Sequence, residues 1–379
     1  MMGKDVDKKW LETMQNQVIA TIVKNNERYG ALFPEPASKN LQYYFGENRQ
    51  WTPSFWTGMQ FLAYELTADE KFLTIIEKHL DSFDERLRNN IEMDNHDVGF
   101  YFSLSHIPAY EKLQRSASRQ TIISAADKLL ERYEPHSKIL QAWGAIDDPS
   151  EQGRMIIDCN MNLFLLYKAF YLTGNQKYYD IAYGHIKKAQ QYLVRDDYST
   201  YHTYFFDVNS GKPLRGTTAQ GYSDQSCWAR GQAWAVYGFA LNYQYTGDLS
   251  LLETAMKTAD YFIEYLPEDY VPYWDLIFTE GKQYRDASAG AILVCGLLEL
   301  VKVLPVTNKD RKKYEQVALA ILYSLGENYT VKQEKSNGVL LHSVYSIPHD
   351  LGVDECCLWG DYFYFEALVS ASTAWNSYW

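Results

Sequence analysis

Two aspartates set in apolar, aromatic-rich stretches are the residues best equipped for chemistry. Asp97 lies in Asn95-His96-Asp97-Val98-Gly99-Phe100, and Asp158 lies in Ile156-Ile157-Asp158-Cys159-Asn160. A buried, unpaired carboxylate is so costly that it tends to take up a proton. Two in one pocket push their proton affinities apart, one held as an acid and one as a base. Such a pair suits proton transfer. Each aspartate also has a plainer structural reading. Asp97 can cap a turn before Gly99, and Asp158 can cap a helix starting near Cys159. Capping and catalysis are not exclusive.

A second group surrounds them. The run from Gln220 to Trp234 places Gln220, Ser226, Arg230 and Trp234 in a loop that leads into a helix. Arg230 and Trp234 are four apart and share a helix face. An arginine beside an indole can offer donors to a hydroxyl or carboxylate and stack as well, or be pinned there structurally. His202 stands alone among aromatics in Tyr201-His202-Thr203-Tyr204, and a satisfied structural histidine is its plainer reading. Trp51 and Phe55, in Trp51-Thr52-Pro53-Ser54-Phe55, and Trp143, in Gln141-Ala142-Trp143-Gly144, fall at loop–helix junctions. Packing is the default for each, and a stacking platform for a sugar is the alternative if the junctions face one pocket. The 32 tyrosines, 10 tryptophans and 17 phenylalanines, 16% of the chain, make such a pocket plausible. Phosphate-binding loops, dinucleotide fingerprints, nucleophile elbows and metal-ligand spacings are absent from the sequence, and His342 and His349 are too isolated to propose a metal. No metal or organic cofactor is expected.

The elements that must position these residues read as helices, over 8–28, 57–66, 71–90, 121–134, 160–172, 176–194, 230–246, 250–265, 288–304 and 310–328. Segment 8–28 shows the stripe Trp10, Met14, Val18, Ile22. Strand-like alternation is confined to short pieces, Tyr201–Phe206 and Val339–Tyr345. A weak repeat recurs at Thr67-Ala68-Asp69, Thr173-Gly174-Asn175 and Thr246-Gly247-Asp248. It reads as a helix end, a left-handed turn, and an Asp or Asn cap for the next helix. Repeated helix–turn–helix units predict paired inner and outer helices in a ring, with an open superhelix as the alternative. Longer connectors at 91–110, 135–157, 196–228, 266–287 and 332–358 carry the motifs, so one end of the ring should be functional.

The 379 residues show no linker or composition shift, so one domain over 1–379 is expected. A net charge of -12 argues against nucleic acid, and no apolar run is long enough to span a bilayer. The sequence near Met1 shows no basic-then-apolar leader. Five cysteines in odd number, without zinc-like spacing, fit a reducing cytoplasm. Oligomeric state is not legible.

Taken in order, these motifs resemble the unsaturated glucuronyl hydrolases, bacterial enzymes that process the products of polysaccharide lyases. The resemblance runs from Trp51–Gly58 through His96–Phe100, Gln141–Gly144, Ile156–Cys159, Tyr201–Thr203 and Gln220–Trp234. It continues through Tyr273–Asp275, Arg285–Ala289 and Leu358–Tyr362, and is most like the streptococcal-type members. It implies an all-α (α/α)6 barrel, with Asp158 as general acid/base and Asp97 as its essential partner. It also implies that Trp51, Trp143, His202, Gln220, Ser226, Arg230 and Trp234 line the substrate cleft. The implied substrates are unsaturated disaccharides from hyaluronan, chondroitin or related glycosaminoglycans, and the implied chemistry is hydration of a C4=C5 vinyl ether. One motif departs from the family. Members that prefer sulfated substrates carry Ser-x-x-Ser-x-Lys after a tyrosine. Here Ser346 is kept, but His349 and Leu351 replace the second serine and the lysine. Leucine cannot supply a fixed charge for sulfate, so better activity on unsulfated substrate is expected. Three other readings stand beside this one: an unsaturated rhamnogalacturonyl hydrolase, a catalytically silent sugar-binding protein, and a helical-barrel sugar epimerase. The last would normally rely on histidine bases, and few are suitably placed.

Overall fold

The computed structural model describes residues 6–148, 151–332 and 335–379. Its outer helices begin where the sequence offers a cap. The Asp7 side chain accepts from Trp10 N–H to open α1 (Lys8–Tyr29). Asp69, Asn175, Asp248 and Asn308 do the same for α3 (Glu70–Arg88), α9 (Gln176–Tyr192), α11 (Leu249–Glu264) and α13 (Lys309–Asn328). The threefold repeat is real at atomic detail. Ala68, Gly174 and Gly247 take left-handed φ values of 53°, 72° and 69°. In each copy the threonine hydroxyl donates back to the carbonyl four residues earlier and accepts from the capping residue's N–H. Glycine adopts this conformation freely, whereas alanine at position 68 bears a steric cost.

The inner helices are of another kind. They comprise α2 (Pro53–Thr67), α4 (Val98–Ser103), α7 (Cys159–Asn162) continued by α8 (Phe164–Thr173), α10 (Ala229–Thr246), α12 (Ala287–Val303) and α14 (Leu358–Ser372). Their buried residues run almost continuously, as from Leu358 to Val369, which is what a helix surrounded on all sides requires. Each packs on the next: Phe55 on Phe100, Phe100 N–H on Asn162, Asn242 on the Asn160 carbonyl. Further round, α10 packs on α12, the Trp359 indole donates to Ser288 at 2.9 Å, and Phe363 returns to Phe55. That last contact closes the ring and excludes an open superhelix. With α1, α3, α6 (Ser118–Leu130), α9, α11 and α13 outside, the architecture is an (α/α)6 barrel.

Three helices lie outside the spans that the sequence predicts: α4 and α5 (His106–Glu111), within the connector expected over 91–110, and α14. These segments are buried all round, so they lack the polar–apolar period that marks an outer helix.

Small antiparallel sheets occupy the loops: β1 (Phe33–Pro34) with β2 (Phe45–Gly46), and β3 (Tyr133–Glu134) with β4 (Ile139–Leu140). The order β5 (Arg154–Ile156), β6 (Thr203–Phe206), β7 (Pro213–Thr217) forms a third sheet, and β8 (Ser343–Ser346) with β9 (Leu351–Glu355) a fourth. Both strand-like pieces of the sequence appear here. Residues 149–150 and 333–334, in two of the expected connectors, lie outside the described residues.

Candidate active site

Six inner-helix starts meet at one end of the barrel. Asp97 and Asp158 occupy the N-cap positions of α4 and α7. An N-cap aspartate ordinarily spends its carboxylate on the N–H groups of the first turn. Asp69, Asp248 and Asp286 do so, but neither Asp97 nor Asp158 makes a side-chain cap bond. The structural reading gave the right position for both, and the side chains are left for other work.

A backbone ladder fixes their approach. His96 N–H donates to the Ala142 carbonyl, and Ala142 N–H donates to Arg154 at the start of β5, each at 2.9 Å. Strand β5 pairs with β6, and Ile157 N–H donates to the His202 carbonyl at 3.0 Å, just before Asp158. The residues flanking both aspartates are thus stitched into one surface.

The two carboxyls feel each other. Burial pushes Asp158 up to about 6, held back by its own backbone N–H and by Arg230. Burial and then the Asp158 charge push Asp97 up to about 8, while Asn162 and Arg86 pull it down. The Asp97 side chain still keeps 19% of its surface exposed, so reagents can reach it. Asp158 Oδ1 is sealed and without a hydrogen-bond partner. Coupled groups titrate as a pair, so between roughly pH 6 and 8 this one holds a single proton. The ordering differs from the expectation of an ionised Asp97 beside a protonated Asp158, because Asp97 has the larger upward shift.

Around the pair stand half-buried Trp51, Trp143 and Gln220. The Trp51 indole donates to Tyr345 Oη at 2.8 Å and stacks on Trp359 with 4.9 Å between ring centroids. Trp143 carries the Arg154 guanidinium on one face at 4.8 Å and approaches His202 at 6.2 Å. His202 accepts from Ala219 N–H through Nδ1, and burial pushes its pKa down to about 3. It is therefore neutral with its proton on Nε2, a sealed donor that has no partner.

Other expected site residues are placed differently. Phe55 is fully buried against Phe100, Tyr362 and Phe363, and Trp234 is 1% exposed against Phe100 and Phe363. Both are backing for the wall and offer no open ring face. Arg230 does not lie over Trp234. Its guanidinium packs between Trp228 and Trp359 at 4.4 and 4.8 Å. It is 2% exposed and donates to Asp286, Gln220 Oε1 and the carbonyls of Val344 and Tyr345. It is a joint between loops, and it orients Gln220 rather than reaching outward. Ser226 is likewise committed, donating to Asp275 at 2.7 Å. Ser346 is buried and 2.7 Å from His349 Nδ1 on the β8–β9 hairpin.

Sequence reasoning did not single out Tyr345, Trp359, Asp286 or Asn162. Asn162 follows Asp158 by one helical turn, a spacing that carried the signal. Among the described residues, no group of three or more His, Cys, Asp or Glu is arranged to hold a metal. The starts of α2, α10, α12 and α14 bring positive helix ends to the site, a setting that favours an anionic ligand despite the acidic chain.

Comparison with known proteins agrees with this arrangement. A Streptococcus pneumoniae (strain ATCC BAA-255 / R6) protein named unsaturated chondroitin disaccharide hydrolase is 43% identical over 366 residues, 96% of this chain and 92% of its own. The crystal structure of unsaturated glucuronyl hydrolase from Streptococcus agalactiae matches with TM-score 0.96 at 40% identity, covering 99% of this chain and 94% of that one. A mutant of the S. agalactiae enzyme complexed with dGlcA-GalNAc6S matches with TM-score 0.88 at 39% identity over the same shares. The model of a family described as Glycosyl Hydrolase Family 88 matches residues 14–366, and the chain belongs to that family.

Proposed function

We propose that this protein is an unsaturated glucuronyl hydrolase acting on the non-reducing-end unsaturated uronic acid of glycosaminoglycan disaccharides from chondroitin or hyaluronan. The observation that carries the reading is the pair of N-cap aspartates with unspent carboxylates and one shared proton, set beside half-buried tryptophans. The names of the streptococcal relatives and the bound disaccharide of the neighbouring structure support it.

The reaction uses what the pair supplies. Asp158 gives its proton to C4 of the vinyl ether, and the positive charge at C5 is shared by the ring oxygen. Water adds to C5, and the Asp158 carboxylate takes the proton that water releases. The acid is thereby regenerated. The hemiketal then rearranges, the ring opens and the second sugar leaves. At rest the shared proton sits on Asp97, and the reactive form is the tautomer in which Asp158 holds it and Asp97 is ionised. Gln220, held by Arg230, offers its amide to substrate oxygens, and neutral His202 backs Trp143. This differs from two carboxylates working across an anomeric bond.

Leu351 is 50% exposed on the hairpin beside Ser346, where it presents no charge to a sulfate. Unsulfated disaccharide is the preferred substrate in this reading. We read residues 1–379 as one catalytic unit, because α14 closes the ring on α2. A cytoplasmic location fits five buried, unpaired cysteines.

The conjugated double bond absorbs ultraviolet light, so hydration is followed by its loss. Incubation with unsaturated chondroitin or hyaluronan disaccharide should bleach the signal. Bleaching confined to unsaturated rhamnogalacturonan fragments would replace this substrate, and no bleaching with either would leave a silent binding protein or an epimerase.

A further inference from the structure

The chain past α14 turns back into the barrel. Helix α14 ends at Ser372, and the segment 373–379 carries Trp375, Tyr378 and Trp379 to buried positions. Its polar anchors Glu65, Tyr245 and Lys302 stand in the last turns of α2, α10 and α12, at the end of the ring away from the aspartates. Glu65 accepts from the Trp375 indole at 3.2 Å and from the Tyr378 hydroxyl at 2.5 Å. Tyr245 donates to the Trp379 carbonyl at 2.9 Å, and Lys302 donates to the Trp375 carbonyl at 3.0 Å. The Trp379 ring meets Phe100 of α4 edge-on at 5.8 Å, lies 6.5 Å from Phe164 of α8, and stacks on Phe363 of α14 at 5.9 Å. Its indole donates at 3.0 Å to the buried Glu366 carboxyl, which Tyr237 and Tyr362 also serve. The segment thus touches α2, α4, α8, α10, α12 and α14, and it plugs the far end of the ring. Trp379 goes deeper than a plug needs. Phe100, three residues past Asp97, has its ring 5.8 Å from Trp379 and 6.1 Å from Trp51 of the cleft wall, with Phe55 and Trp234 beside it. Helix α4 has six residues, too few to hold a direction by its own backbone bonds. The Asn162 side chain fixes its main chain at Phe100 N–H, and these rings fix the Phe100 side chain.

We propose that Trp379 is a positioning residue for Asp97, a prop set against Phe100 from the far end of the barrel. The proposal rests on the two-aspartate reading of the site and adds how the fold holds one member of the pair in place. Two features make this side chain a clean probe. Glu366 keeps its two tyrosine donors when the indole is removed, so the buried carboxyl is not orphaned. The bond from Tyr245 goes to the main chain and survives substitution. What a smaller residue removes is ring volume against Phe100, and a core closes on such a gap only in part. Phe100 then leans into the space and draws the start of α4, with Asp97, out of register with Asp158.

The test separates a prop from a plug. Measured well below the melting temperature of each variant, Trp379→Ala should lower kcat on unsaturated disaccharide roughly tenfold or more and leave KM within about twofold, because a small misplacement costs the chemical step more than binding. Trp379→Phe keeps a ring against Phe100 and gives up the bond to Glu366, and it should recover most of kcat. Carboxyl-carbon NMR on labelled aspartate supplies a readout independent of turnover. The Asp97 resonance, assigned by its absence in Asp97→Asn, should move in Trp379→Ala and return toward the wild-type position in Trp379→Phe. Trp379→Leu serves for both measurements if the alanine variant fails to fold. A variant that melts earlier but keeps its kcat, or one whose Asp97 resonance is unmoved, has lost only a plug and overturns the proposal. If the wild-type protein does not turn over the disaccharide while the resonance moves as expected, the substrate reading fails and the role of Trp379 stands.

Discussion

Replacing Asp97 by asparagine should stabilise the fold while removing activity. Burial and the Asp158 charge raise the Asp97 pKa from 3.8 to about 8. Because the folded-state value lies above the unfolded one, the protonated form is favoured by folding. The stability it provides is complete below about pH 4 and is lost as the pH rises through about 8. At pH 7 about three pKa units have been titrated against the fold, a cost of ~4 kcal/mol at 1.36 kcal/mol per unit. By pH 4 the cost shrinks to ~0.5 kcal/mol. Asparagine has nearly the shape of the protonated acid and never bears this cost. With an unfolding entropy of about 2.1 cal/mol/K per residue, the 379-residue chain gains roughly 5 °C in Tm at pH 7. Calorimetry of wild type and Asp97→Asn at pH 4 and pH 7 measures the difference. The gain should be confined to the higher pH. A variant that melts below wild type at pH 7, or a shift equal at both pH values, refutes the claim that the fold keeps this carboxyl protonated.

Asp158→Asn should lower turnover by at least ~100-fold without loss of the fold, as loss of a general acid/base requires; the ultraviolet assay reads it, and substantial residual turnover removes Asp158 from its role. Leu351→Lys should raise kcat/KM for a 6-sulfated disaccharide relative to the unsulfated one by roughly two- to fivefold, the worth of one exposed ion pair. A wild-type protein that already prefers the sulfated substrate strongly contradicts the reading of that hairpin. Ala68→Gly should stabilise by about 0.5–1 kcal/mol, since the left-handed turn at φ 53° is free only to glycine; an unchanged denaturation midpoint argues that the turn is unstrained.

The outer layer was legible because its helices obey local rules. Asp69, Asn175 and Asp248 announce their helices, and the threonine before each turn repeats in sequence as it does in space. The inner layer was less legible. Helices α4 and α5 are six residues each, and α14 is buried on every side from Leu358 to Val369, so no period marked them. The positions of Asp97 and Asp158 followed from the sequence, but the commitments of their neighbours did not. Arg230 reaches Val344 and Tyr345 across more than a hundred residues, a bond that no local spacing encodes. Phe55 and Trp234 look like Trp51 in sequence, but they lie within α2 and α10, packed on Phe100 and Phe363, whereas Trp51 precedes α2 and stays half-buried.

The account depends on a dyad that carries one proton between its two ionisations. The dependence of kcat/KM on pH, followed by loss of the vinyl-ether absorbance, tests this most directly. A bell with limbs near 6 and 8 is predicted for the wild type, and the basic limb should disappear in Asp97→Asn along with most of the rate. A flat profile across this range, or one unchanged when Asp97 is replaced, would contradict it.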